Sequence, residues 1–159
     1  MMFGSKKKRA VKAIHENVHA VVSLYQRNYG LPSHFWMDEY VLGFFTSLMG
    51  NHAKLATGGR IAGTDFDIVI IEGWGLISGQ NGQQLWKKST ELAISNNESY
   101  FIGYDRAILI FFLSINKLNP NGMSQEDVKL ALEYSGGDYV KASGFLMSDT
   151  FSTINERLG

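Results

Sequence analysis

The segment Ser99 to Leu118 constrains the fold more than any other stretch of this chain. It is apolar on nearly every side: Tyr100, Phe101, Ile102, Tyr104, the run Ile108 to Leu113, and Ile115. A helix with no polar face has to be enclosed by other elements. It therefore predicts a helix over about 99–118 at the centre of a bundle.

The flanking segments have the periodicity such an enclosure needs. Val11, Ile14, Val18, Val21, Val22, Tyr25 and Tyr29 recur at helical spacing and predict a first helix from about Lys6 to Tyr29, ended by Gly30-Leu31-Pro32. A second helix is expected from about His34 to Ala56, with Asp38 and Glu39 in its first turn, where the helix dipole favours acids, and Gly58-Gly59 closing it. After the turn Gly79 to Gly82, a helix covers about Gln83 to Ser95, and Asn96-Asn97 breaks it. Asn119-Pro120-Asn121-Gly122 is a loop signal. Ser124 opens the next helix with Asp127 at capping-box spacing. Gly136-Gly137 ends that helix, and Asp138 caps a last segment, Tyr139 to Leu158, in which Ser148-Asp149 is a place for a break.

Phe66 to Ser78 is the ambiguous stretch. Ile68-Val69-Ile70-Ile71 is rich in β-branched residues and suits a buried strand. A lone strand would have no partner, so a buried helix opened by Thr64 or Asp65 is preferred. The pattern as a whole predicts an all-α fold, a single bundle of six or seven helices over 1–159, with residues 1–8 a flexible basic tip.

Composition agrees. The chain has 159 residues, 45% of them hydrophobic, enough for one domain with a sizeable core. It has no cysteine, which excludes disulfides, thiolate zinc sites and iron–sulfur clusters and suits a reducing compartment. The run Lys6-Lys7-Lys8-Arg9 is not followed by an apolar leader core, and Ala107 to Ile115 is far short of the ~20 residues that span a bilayer. A soluble, cytoplasmic protein with no membrane insertion is expected. The formal net charge is zero, but it is unevenly spread. Lys6, Lys7, Lys8, Arg9 and Lys12 crowd one end. Glu126, Asp127, Glu133, Asp138, Asp149 and Glu156 outnumber Lys129, Lys141 and Arg157 at the other.

Several short patterns carry candidate chemistry. His15-Glu16-Asn17-Val18-His19 reads H-E-x-x-H and over five residues resembles the zinc helix of the zincin metalloproteases. The resemblance implies zinc on His15 and His19, with Glu16 activating a water. Apart from any catalysis, two histidines one turn apart can chelate a metal. Helical geometry puts both at the edge of the apolar stripe and Glu16 roughly opposite, and no downstream motif supplies a third ligand.

Gly73-Trp74-Gly75-Leu76-Ile77-Ser78-Gly79 has nearly the glycine spacing of a dinucleotide fingerprint, which needs a preceding strand and an uninterrupted helix after it. The alternative is close helix packing at Gly75 and Gly79. Glu72, Arg106 and Asp105 each stand among apolar residues, where a charge is costly unless paired. Mutual pairing is expected, or a pocket around Glu72 with Arg106 or His52 nearby.

Finally, Val128 to Ala142, with its Gly136-Gly137-Asp138 turn, resembles both the later helices of ubiquitin-associated domains and the Fis-type helix-turn-helix. The Fis-type resemblance extends through Leu146 to Ser152-Thr153-Ile154 and implies a recognition helix exposing Ser152, Asn155 and Arg157 to DNA. The acidic surroundings argue against nucleic acid. An ordinary αα-hairpin explains both patterns.

The reading that needs the fewest special groups is a non-enzymatic helical interaction protein whose partner is itself. Two alternatives stand beside it: a metal binder or metal-dependent hydrolase using His15 and His19, with zinc as cofactor, and a DNA-binding protein using the C-terminal hairpin.

Overall fold

The computed structural model describes residues 2–118 and 125–159, the side chains of Met2 and Phe3 excepted. Over these described residues it is an all-α bundle of seven helical rods with no strand. The first rod is α1 (Met2–Ala13), a π turn (Ile14–Val18) and α2 (His19–Tyr29) in unbroken succession. A short 3₁₀ turn (Phe35–Met37) leads to α3 (Glu39–Ala56). Then follow α4 (Gly63–Ser78), α5 (Gly82–Ile94), α6 (Glu98–Ser114), α7 (Glu126–Tyr134) and α8 (Tyr139–Leu158).

The π turn has a reason in the sequence. The buried line of the first rod is Ala10, Ile14, Val18, Val22 and Tyr25. Steps of four residues drift by about 40° each in an α-helix. Three in succession would carry Val22 about 120° away from Ala10. The wider turn, closed by His19 N–H donating to the Ile14 carbonyl, takes up one residue and returns Val18 and Val22 to the line. The rod also begins earlier than expected: residues 4–8 are helical, and Lys7 lies 3.7 Å from Asp65 of α4.

Two helices share the centre. Tyr40 to Gly50 of α3 are buried without interruption, and α6 packs along them, with α8 also packed against α6. The close approach of α3 and α6 depends on a reciprocal pair of glycines. A Cβ on Gly43 would strike the Tyr100 carbonyl, and one on Gly103 would strike the Tyr40 carbonyl. His52 of α3 packs edge-on to Phe111 of α6 at 4.9 Å. Burial holds its imidazole near pKa 4, so it is neutral at physiological pH. The remaining rods close around this pair. Trp36 and Trp74 meet in a T-shaped contact at 5.8 Å, which joins the 3₁₀ turn to α4.

Element ends follow local chemistry. Asp38 lies outside α3 as its N-cap, its carboxylate accepting from Val41 N–H at 3.0 Å, so the helix starts later than periodicity implied. The stretch 66–78 is helical, as preferred, but α4 starts at Gly63 after Ala62, and Asp65 occupies its first turn rather than capping it. Asn81, Asn97 and Asp138 cap α5, α6 and α8. Helix α6 stops at Ser114, short of Leu118, because Asn116 takes the left-handed conformation and Lys117 N–H turns back to the Phe112 carbonyl. Ser148-Asp149 does not divide α8. The expected loop at Asn119 to Gly122 and the cap at Ser124 lie outside the described residues. Among the described residues, no helix is long and apolar enough to cross a membrane.

Candidate functional sites

The first surface with concave shape and mixed chemistry runs between α1 and α4. It is a groove of about 620 Å³. Val11, Ile68 and Leu76 form its apolar floor, Lys7, Lys8, Lys12 and His15 line the α1 side, and Glu72 lines the α4 side. Helical spacing produces it: Lys8, Lys12 and His15 sit at i, i+4 and i+7 on one edge of the first rod, His15 in its π turn. Lys12 reaches Glu16 at 3.7 Å, and among the described residues Lys8 pairs with no acid.

The H-E-x-x-H residues occupy the π turn. His15 is exposed and His19 half-buried, with their ring centroids 5.4 Å apart. The His19 ring contacts the Ser23 hydroxyl at 3.5 Å, and Glu16 faces Lys12 on the exposed side. Among the described residues, no third His, Asp or Glu gathers with the pair into a group that could hold a metal ion.

The expected buried network of Glu72, Arg106 and Asp105 does not form. The buried face of α4 is Val69, Ile70, Gly73, Trp74 and Ile77. At about 100° per residue, Glu72 lies well off that face and is exposed. Asp105 is exposed on α6, although neighbouring chain desolvates its carboxyl enough to raise its pKa. Arg106 is the half-buried member. Its guanidinium pairs with Asp127 of α7 and, at 3.6 Å, with Asp149 of α8, pinning the C-terminal hairpin to α6. Both acids were visible in the sequence, but as a cap and as a break. The glycines near Glu72 also work differently from expectation. Gly79 is the left-handed cap of α4, Gly73 makes a close approach to Met49 and Ile14, and Gly82 at the start of α5 comes against the α4 backbone at Ile71 and Gly75.

The second surface is the outer face of the α7–α8 hairpin. Tyr134 is 78% exposed, Phe145 49% and Leu130 42%. The Tyr134 and Phe145 rings lie 6.1 Å apart beside a notch of about 230 Å³. Glu126, Glu133 and Asp149 are exposed on the same two helices. Ser152 and Asn155 are exposed on α8, but Arg157 is tied back, with Nε 3.1 Å from Asp38 Oδ1 and its guanidinium over the Tyr40 ring. Because α8 runs unbroken from Tyr139 to Leu158, no turn sets off a separate recognition helix around Ser152-Thr153-Ile154.

Sequence reasoning noted both charge clusters but not that each flanks an exposed apolar surface. The i, i+4, i+7 spacing of Lys8, Lys12 and His15 was the available signal for the groove.

No protein-family model, no curated protein and no solved structure matches this chain.

Proposed function

We propose that this chain is a cytoplasmic, non-enzymatic helical interaction protein that self-associates, the acidic apolar face of the α7–α8 hairpin of one copy docking on the basic α1–α4 groove of another. The observation that carries the reading is complementarity. The groove presents Lys8, Lys12 and His15, with Glu72 opposite, around Val11, Ile68 and Leu76. The hairpin presents Glu126 and Glu133 beside Leu130, Tyr134 and Phe145, with Asp149 shared with Arg106, and with Lys129 and Lys141 exposed on the same two helices. Apolar side chains left at such exposure are a recognised mark of interaction surfaces. Opposite potentials steer and register the encounter. The absence of cysteine supports the compartment. A groove and a face on different parts of one surface make a heterologous contact, which closes as a ring or grows as a chain.

Sedimentation velocity over a concentration series tests this. The average mass is expected to rise with protein concentration and to fall with added salt, which screens the charged rim. Lys8→Glu with Lys12→Glu should abolish the rise, as should Tyr134→Ser with Phe145→Ser. An equimolar mixture of the two double variants should stop at heterodimers, because each keeps one working half. A monomer at every concentration would overturn the proposal.

A second reading has one observation in its favour, the approach of the His15 and His19 rings. Two imidazoles make a weak surface site for a divalent cation such as zinc. Equilibrium dialysis against zinc, with His15→Ala as control, decides it: weak, His15-dependent uptake supports the reading, and no uptake ends it.

A further inference from the structure

A third hollow lies between α3, α4, α5 and α6, and its walls differ from both interaction surfaces. It holds about 460 Å³, within the range of small-molecule sites. Phe66, Trp86, Phe101, Tyr104 and Phe112 line it, each half-buried, with Tyr100 buried behind them. Rings packed into a core hide their faces. These turn part of their area to a solvent-filled hollow, and an occupant would remove that area from water. Flat aromatic molecules suit such walls, because ring pairs favour offset-stacked and edge-to-face contacts.

The polar groups of the hollow are few. Among the described residues lining it, Lys54 alone is charged, and no carboxylate is present. The Lys54 ammonium sits 5.5 Å from the centroid of the Phe66 ring, a cation–π contact that holds it at the rim. Gly50 makes room for that ring, since a Cβ there would come within 3.3 Å of it. The Asn51 amide nitrogen donates to the Ser47 carbonyl at 2.8 Å, which orients the amide and leaves its oxygen as an acceptor. Burial, with Asp105 nearby, raises the Tyr104 pKa and keeps its hydroxyl a donor. A cationic ligand would meet Lys54 with no carboxylate in the lining to offset the repulsion, whereas an anionic one would be drawn to it.

We propose that this cleft binds a small planar aromatic molecule carrying one anionic group, the ring held among Phe66, Trp86, Phe101 and Tyr104 and the anion held by Lys54. The site is independent of the self-association surfaces, which share none of its lining residues.

The test is an NMR titration of the full chain with naphthoate, naphthalenemethanol and naphthylmethylammonium, three probes with one ring system and different charge. Naphthoate is expected to give saturable shifts at Asn51, Lys54 and the Trp86 indole N–H. Affinity should follow the order anion, neutral, cation. Lys54→Gln should weaken naphthoate by roughly two- to five-fold, the scale of one partly exposed charge pair, and leave naphthalenemethanol unchanged. Ala93→Phe, which puts a ring into the cleft, should abolish binding of both. If that variant does not fold, the Lys54→Gln comparison decides alone. Absence of saturable shifts at millimolar probe, shifts confined to the α1–α4 groove, or affinity indifferent to probe charge would each overturn the proposal.

Discussion

The α3–α6 pair and the α7–α8 hairpin are both packed helix pairs, yet they treat their apolar residues in opposite ways. In the central pair, Tyr40 to Gly50 are buried in succession, and the two backbones approach so closely that Gly43 and Gly103 have no room for a Cβ. In the hairpin, Val128, Ala131, Ala142 and Leu146 are buried, while Leu130, Tyr134, Val140 and Phe145 are not. The difference teaches where substitution should cost folding and where it should cost association. The centre has no slack, because interiors at crystal-like density transmit any added volume to the backbone. The hairpin is held on its inner side, through Arg106, through Arg157 on Asp38 and Tyr40, and through Phe151 against Tyr25, and its outer face is exposed.

The largest expected effect breaks the centre. Gly103→Ala or Gly43→Ala should destabilise by about 3 kcal/mol, the upper part of the range for overpacking, because the neighbour each new methyl meets is backbone and not a movable side chain. Urea denaturation would measure it, and a loss under about 1 kcal/mol would show that α3 and α6 can slide apart.

The next effect also lies in the central seam. His52 has a folded-state pKa near 4 against an ordinary 6.5. Above pH 6.5 it is neutral both folded and unfolded. As the pH falls toward 4, the unfolded chain takes up the proton first, so stability is lost across that window, by about 2 kcal/mol. Thermal melts at pH 7 and pH 4.5 should show the loss in the parent chain and a smaller one in His52→Leu. Equal losses in both proteins would assign the pH dependence to other groups.

A smaller effect concerns the join between the two regions. Arg157→Ala removes the pair with Asp38 and the contact over Tyr40, both partly exposed, and should cost about 1 kcal/mol. Hydrogen exchange should quicken at the end of α8 while the α3–α6 seam stays protected. Quickened exchange in the seam as well would mean that the hairpin and the centre open as one unit.

The smallest expected effect on folding is at the hairpin face itself. Tyr134→Ser with Phe145→Ser should change stability by no more than about 0.5 kcal/mol, as surface substitutions do, while removing the proposed self-association. A large loss of stability would erase the contrast between the two regions.

Much of the fold was legible because it rests on local chemistry. The cap at Asp138, the turn at Gly79 to Gly82, the break at Asn96-Asn97, the glycine stop after α3 and the apolar stripe of the first rod all act within a few residues, although the structure alone showed that Asn81 and Asn97 are caps. The candidate sites were less legible. The groove draws its two walls from α1 and α4, which are separated in the chain by α2 and α3. The aromatic cleft draws on four helices. In the sequence, Phe66, Trp86 and Phe101 look like any other core residues, since periodicity marks a face of a helix but not whether a neighbour fully covers it.

By itself, the sequence left 66–78 open between a helix and a buried strand until the structure showed α4, but it determined the all-α class and roughly where most helices start and stop. These follow from hydrogen bonds and apolar periodicity within a single segment. Only the tertiary structure decided that α3 shares the centre with α6, that Glu72 stays in solvent while Arg106 finds Asp127 and Asp149, and that the N-terminal lysines line a groove. Those outcomes depend on which helix faces meet. A charge or ring at a given position takes its environment from residues far away in sequence, and no local rule carries that information.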